Sequence, residues 1–447
     1  MGTQGTLLRL ATAGSVDDGK STLVGRLLHD TKSVLSDQLA AVERVSRDRG
    51  LTAADLALLT DGLRAEREQG ITIDVAYRYF ATARRSFVLA DCPGHVQYTR
   101  NTVTGSSTAD VGVLLVDARK GVLEQTRRHL AVTALLRVPH VIVAVNKIDL
   151  VDFSEDVFRT VEASVQAVAR DLGLEDARAI PVSALDGDNI AERSERTPWY
   201  AGPSLLELLE DLPPADDPVH ESFRMPVQLV IRPQGAAREA AHRDYRGYAG
   251  QLASGVVRVG DEVVALPSGR RTTVTGIDLG ERSLEEAFAP QSVTLRLADE
   301  IDISRGDVIS AAGDAPDPVQ DVDAVVCWLG DAPLRPGARL LLKHGARTVQ
   351  AIVRTIEGRL DLDDLHSVGT DALELNDIGR VGIRLAQPVP VEDYAVSRRG
   401  GAFLLIDAHD GGTVAAGMVG ATLRDAALGD ASRGGSSLTD AVTGVVP

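Results

Sequence analysis

Along the first half of the chain, short apolar runs alternate with longer segments whose apolar positions recur every three or four residues. Residues 7–13, 86–90, 111–116, 141–145 and 179–182 are apolar runs of strand length, the pattern of strands buried on both faces of a parallel sheet. Between the last two, residues 154–174 place Val157, Val161, Val165, Val168 and Leu172 on one face of an amphipathic helix. This alternation predicts a doubly wound, mostly parallel α/β sheet up to about residue 212. Such sheets bind ligands beyond the carboxyl ends of their strands.

The pattern then changes. Residues 212–218 carry three prolines and two acids between apolar blocks, and prolines there cannot continue a helix. Beyond them, residues 225–231, 256–259, 262–266, 271–277 and 292–297 read as short strands separated by Gly, Pro and Asp turns, which predicts an antiparallel β-barrel. A second Pro/Asp-rich stretch, 313–319, precedes another β-rich region running from 321 to about 424, a second antiparallel β-barrel. The expected organisation is an α/β domain over 1–217, barrels over 218–315 and 316–425, and a disordered Gly/Ser/Asp/Ala-rich tail over 426–447. No repeat of solenoid period is present.

Composition narrows the partners. At 447 residues the chain is too long for one core and fits about three domains. Lys and Arg number 47 against 64 Asp and Glu, a net charge of -17, so no broad cationic face is expected and nucleic-acid binding is disfavoured. Cys92 and Cys327 are the only cysteines, which excludes a disulfide framework and suits two core residues in a reducing compartment. The N-terminus lacks the basic and apolar regions of a secretory signal, and no run is long enough to cross a membrane, so a cytoplasmic protein without a membrane partner is expected.

Chemistry enters at the strand ends. Gly14-Ser15-Val16-Asp17-Asp18-Gly19-Lys20-Ser21 matches G-x-x-x-x-G-K-[ST], with a strand before it and the helix-like residues 21–28, opening on Ser21-Thr22, after it. Such a loop turns backbone N–H groups toward phosphate oxygens at the positive end of a helix. Lys20 would reach the β- and γ-phosphates and Ser21 would coordinate Mg²⁺. Asp91-Cys92-Pro93-Gly94-His95 follows the next strand: Asp91 can hold Mg²⁺ through water, and Gly94 lets its backbone approach the γ-phosphate. Between them, Thr72 in Gly70-Ile71-Thr72-Ile73 offers a second hydroxyl to Mg²⁺ only while the γ-phosphate holds the segment closed, although a Thr between two isoleucines also reads as a strand residue. Asn146-Lys147-Ile148-Asp149 follows residues 141–145, and a carboxylate at Asp149 accepts two hydrogen bonds that guanine offers and adenine does not. Ser183-Ala184-Leu185 follows the next strand and can present a backbone N–H to the guanine carbonyl oxygen.

These five elements, in this order, resemble the guanine-nucleotide domain of GTPases. The His of Asp91-Cys92-Pro93-Gly94-His95 resembles that of the translation-factor branch, which implies that His95 positions the attacking water. Longer strings narrow the resemblance: Asp18 where elongation factors usually place His, residues 61–80 (Asp61-Gly62-Leu63 through Ile71-Thr72-Ile73 to Tyr79-Phe80), Gln97-Tyr98-Thr99-Arg100-Asn101, Asp117-Ala118-Arg119-Lys120-Gly121-Val122, Asp244-Tyr245-Arg246-Gly247-Tyr248-Ala249-Gly250 and Val259-Gly260-Asp261-Glu262-Val263. Together they look like the large GTPase subunit of bacterial sulfate adenylyltransferase, over most of the chain.

That resemblance implies an elongation factor Tu-like architecture, a P-loop domain followed by two β-barrels. It implies GTP and Mg²⁺ as ligands and a heterodimer with a small catalytic subunit. The small subunit would form adenosine 5'-phosphosulfate and pyrophosphate from ATP and sulfate, with catalytic roles here for Lys20, Thr72 and His95. It further implies no adenylylsulfate kinase activity in this sequence. Val96 and Thr102-Val103 depart from the family pattern. The Ala/Arg-rich residues 234–243 read as a solvated loop, with partner contact as the second reading. Two other classes remain open at this point: a factor carrying aminoacyl-tRNA, and a regulatory GTPase without an enzymic partner.

Overall fold

A computed structural model describes residues 7–48, 54–59, 74–95, 98–213, 218–236, 243–362 and 365–420. Thr72, Val96, part of the 234–243 segment and the expected tail lie outside these residues. Six strands, β1 (Leu7–Gly14), β2 (Ala76–Ala81), β3 (Ser86–Asp91), β4 (Val111–Asp117), β5 (His140–Asn146) and β6 (Ala177–Pro181), form one sheet in the order β2-β3-β1-β4-β5-β6. All neighbours are parallel except β2 and β3. The chain runs from β1 to β3 on one side and to β4 on the other, so the topological switch point falls at the end of β1.

Both faces of the sheet are covered, which is why its strands read as continuous apolar runs. Val111, Val113 and Leu115 of β4 pack with Leu23, Val24 and Leu27 of α1 (Lys20–Asp30), whereas Leu114 and Val116 face the opposite core. There they meet Leu130 of α4 (Glu124–Leu135) and Phe158 and Val165 of α5 (Glu155–Asp171). Helices α2 (Ser36–Asp48), α3 (Thr99–Ser106) and α6 (Leu205–Asp211) are the others described in this region. The expected 154–174 helix is α5. Ser154 caps its start by accepting from the Val157 N–H, and the chain leaves the helix at Gly173, with φ of 72° and Leu174 N–H donating to the Ala169 carbonyl.

The next region is antiparallel throughout, with Glu262–Leu266, Arg270–Leu279 and Ser292–Leu297 close to expectation. The single strand expected over 225–231 is two, Arg224–Pro226 and Leu229–Ile231. The first pairs with Val308–Ala311 and the second with Gly247–Gln251, so the chain turns a corner between partners. The last region closes on itself. Arg339–His344 pairs with Ala402–Ile406 on one side and Arg347–Leu360 on the other, which completes a ring through Thr413–Val419, Pro318–Trp328 and Ile378–Pro390.

Alternation along Pro318–Trp328 divides its side chains. Val322, Ala324 and Val326 fill the barrel, while Val325 and Cys327 join the α/β core in one continuous apolar cluster with Leu130, Leu135 and Leu136. Hydrogen bonds cross the same boundary: Arg100 Nη2 to the Leu329 carbonyl at 2.8 Å, Arg128 Nη1 to the Asn376 carbonyl at 3.2 Å, and Tyr394 Oη to the Leu136 carbonyl at 3.0 Å. The two barrels are joined by Arg347–Asp307 at 2.8 Å and Arg224–Glu392 at 3.0 Å. Both cysteines are free and buried, and burial pushes each thiol up to about 12, so they behave as core residues. Among the described residues, no helix is long and apolar enough to cross a membrane.

Candidate nucleotide-binding site

The ends of β1, β3, β4 and β5 bring the sequence motifs to one crevice. Residues 14–19 leave β1 and enter α1 through Gly19, whose φ is 92°. A Cβ at Gly19 would stand 2.4 Å from Asn146 Nδ2, so only glycine fits. Asp18 folds back to accept from the Ser15 N–H at 3.0 Å, and the Asp18 N–H donates to the Ser15 carbonyl at 3.2 Å. The Asp18 side chain is thereby buried, and burial pushes its pKa up to about 6 despite Lys120, whose Nζ lies 4.0 Å from Oδ1. Val16 and Asp17 are exposed, and Ser21 and Thr22 are half-buried at the start of α1.

Lys20 and Asp91 are both buried and form an ion pair of 2.5 Å, with Thr12 Oγ1 donating to the same Asp91 oxygen at 3.1 Å. Gly94 approaches the phosphate loop so closely that a Cβ would meet the Gly14 carbonyl at 2.1 Å. The Thr102 hydroxyl, at one of the departures from the family pattern, donates to the Pro93 carbonyl at 3.1 Å and anchors this turn to α3. His95 is exposed at the rim, its ring 6.1 Å from that of Tyr98.

The Asn146 carboxamide joins two motifs. Its Nδ2 donates to the Asp18 carbonyl at 2.7 Å, and its Oδ1 accepts from the Ala184 N–H at 2.9 Å. Lys147 donates to the Asp17 carbonyl and lies 3.1 Å from Asp117 Oδ2. Burial opposes the charge on Asp117, but hydrogen bonds from Arg119 and Lys147 outweigh it and hold the carboxylate below its usual range. Asp149 is half-buried with the Arg119 charge nearby. Ser183 and Ala184 are buried and Leu185 is exposed.

Sequence reasoning named no role for four side chains placed here. Asp117 ends an apolar strand just as Asp91 and Asn146 do, and that shared position was the signal for it. Arg26 donates to the carbonyls of Ala184 (Nε, 3.3 Å) and Leu185, a contact across 158 residues for the first of these. Gln125 donates to the Gly94 carbonyl at 3.2 Å and lies 3.2 Å from His129 Nε2, while the backbone of Gly94 and Gly14 lies against the His129 ring. No local pattern announces Arg26, Gln125 or His129.

A strand-loop-helix phosphate site, an acidic strand end and a guanine-type motif on one sheet define a GTPase of the translation-factor class. Residues 6–215 match the elongation factor Tu GTP-binding domain, and residues 321–420 match the GTP-eEF1A C-terminal domain-like family. The chain is 54% identical over 422 residues to a bifunctional enzyme CysN/CysC of Mycobacterium tuberculosis, covering 94% of this chain and 68% of that protein. It is 49% identical to the sulfate adenylyltransferase subunit 1 of Cellvibrio japonicus, covering 92% of this chain and 86% of that protein. The chain belongs to the sulfate adenylyltransferase subunit 1 family. A solved structure of Sup35 complexed with GMPPNP aligns at 23% identity and a TM-score of 0.41, over 93% of this chain and 94% of that one.

The site's own chemistry suits GTP with Mg²⁺. Ser15 Oγ and Asp18 Oδ1 are buried without a hydrogen-bond partner, which marks a loop built to be completed. Ser21 and Asp91 are hard oxygen donors. Among the described residues no three His, Cys, Asp or Glu side chains form a cage, and Mg²⁺ characteristically takes one or two protein ligands and completes its shell with phosphates and water.

Proposed function

We propose that this chain is the GTP-hydrolysing, energy-coupling subunit of sulfate adenylyltransferase. It would act in the cytoplasm as a heterodimer with a small catalytic subunit that converts ATP and sulfate to adenosine 5'-phosphosulfate and pyrophosphate. The observation that carries the GTPase half is the Asn146 carboxamide, which ties the phosphate loop to the 183–185 segment. Similarity to subunit 1 proteins over more than nine-tenths of the chain supports the sulfate half and favours it over a factor carrying aminoacyl-tRNA.

In this reading the backbone N–H groups of Gly14 to Thr22 surround the phosphates at the N-terminus of α1. The Lys20 ammonium, oriented by Asp91, turns to the β- and γ-phosphates. Ser21, Thr72 and Asp91, the last through water, would hold Mg²⁺, which when bound supplies positive charge to the oxygens of those phosphates. The Gly94 N–H meets the γ-phosphate, and His95 orients a water for in-line attack, giving GDP and phosphate. Asp149 accepts from the guanine ring N–H and amine, and in the 183–185 segment the Leu185 N–H would face the guanine carbonyl, since those of Ser183 and Ala184 serve Asp188 and Asn146. Adenylyl transfer falls to the small subunit.

The test is co-expression with a small subunit and assay of adenosine 5'-phosphosulfate formation with and without GTP. Product that depends on GTP and disappears with Lys20→Ala is the expected result. Absence of product from a demonstrably active small subunit, with GTP hydrolysis intact, overturns the coupling role.

A further inference from the structure

Gln125 and His129 lie one turn apart on the same face of α4. His129 is 3% exposed, and burial, with the Arg128 and Lys20 charges, lowers its pKa to about 4, so the ring is neutral near pH 7. A neutral imidazole has one N–H and one lone pair, whereas a glutamine amide has two N–H groups. Gln125 Nε2 donates to the Gly94 carbonyl at 3.2 Å and lies 3.2 Å from His129 Nε2, and the His129 ring in turn sits against the backbone of Gly94 and Gly14, so the pair spans both residues whichever ring nitrogen carries the proton.

The two residues joined in this way are the first of the phosphate loop and the one before His95. The Gly94 carbonyl shares one planar peptide with the His95 nitrogen, so fixing that oxygen sets the plane from which His95 departs. Gly94 and Gly14 are already in backbone contact. The pair beneath them therefore governs where the turn sits relative to the loop.

We propose that Gln125 and His129 are positioning residues for GTP hydrolysis, a two-residue brace that bridges the backbone of Gly94 and Gly14 and holds the Gly94-His95 peptide in register with the phosphate loop. This rests on the GTPase reading above. Neither side chain touches the reacting atoms. The brace acts on the chemical step through His95 and leaves the affinity for GTP to the phosphate loop and the base motif.

The experiment compares GTP affinity, single-turnover hydrolysis and melting temperature for the co-expressed complex and its variants. Gln125→Leu and His129→Leu should each slow hydrolysis by about 10-fold or more, because small displacements of aligned groups are that costly, while the Kd for GTP changes by less than about 3-fold. The double variant should be little worse than either single one, since the residues act as a unit. His129→Gln, which keeps a donor and an acceptor, should recover most of the rate. Hydrolysis within about 2-fold of the wild type in both leucine variants overturns the proposal. So does a loss of affinity and melting temperature that matches the loss of rate, or a folded His129→Gln that fails to rescue. If His129→Leu does not fold, the half-buried Gln125→Leu decides alone. A wild-type complex that neither binds nor hydrolyses GTP defeats the underlying reading instead.

Discussion

Asp149 stands half-buried with the Arg119 charge nearby, and its carboxylate, proposed to read the guanine base, can only accept hydrogen bonds. Asp149→Asn replaces one acceptor by a donor. It should weaken GTP by about 10-fold or more and favour xanthosine triphosphate, as the loss of a charge-assisted hydrogen bond predicts. Competition binding of the two nucleotides measures this, and an unchanged preference removes Asp149 from the base site. Asp18 makes a different statement, about pH. Burial raises its pKa from 3.8 to about 6, so the folded chain holds the proton more tightly than the unfolded chain. Its favourable contribution is present below the unfolded value and is lost as pH rises through the folded one. Asp18→Asn keeps an acceptor for the Ser15 N–H and removes the charge. It should raise the melting temperature at pH 7.5 by about 2 °C or more and give no gain near pH 4. An equal gain at both pH values excludes the buried charge as the cause.

Among the elements, α1 contributes to the crevice twice. Its first turn presents Lys20 and Ser21, and Arg26 from the same helix secures the 184–185 carbonyls. Arg26→Ala should loosen that segment and reduce affinity for GTP by about 5-fold, in line with one net hydrogen bond to a charged group. Titration with a fluorescent guanine nucleotide reads this out, and unchanged affinity would leave the Asn146 contact as the sole support. The parallel strands were legible in the sequence because strands buried on both faces are unbroken apolar runs, and all five expected strands are present within two residues. The phosphate-loop, Asp91, Asn146 and Ser183 motifs were legible because each sits at the end of such a run. The corner at 226–229 was not, because neither Val227 nor Gln228 is a turn-forming residue although the chain changes partner there. Arg26, Gln125 and His129 were hidden for a related reason. Their roles are created by neighbours distant in the chain, and nothing at their own positions differs from an ordinary helix surface or core.

At the scale of the whole molecule, the sequence marks boundaries by prolines and acids, whereas burial draws them elsewhere. The apolar cluster that begins among β4, β5, α4 and α5 continues without a break into Val325, Cys327, Leu329, Tyr394 and Met418. The region between them, residues 224–311, has its own core centred on Tyr248, Ile277 and Leu295. Residues 1–217 expressed alone should therefore melt about 5 °C or more below the same region in the full chain, as followed by tryptophan fluorescence of Trp199. Equal melting temperatures would mean that the shared cluster contributes nothing. The cluster also makes the first and last regions a single unit of cooperative unfolding although they are far apart in sequence. During synthesis the α/β region would have to wait for the final barrel before its outer helices are covered. A ribosome-bound chain paused anywhere before residue 325 would then expose the flank of α4 to chaperones, so release of the nascent chain would be tied to completion of the last barrel.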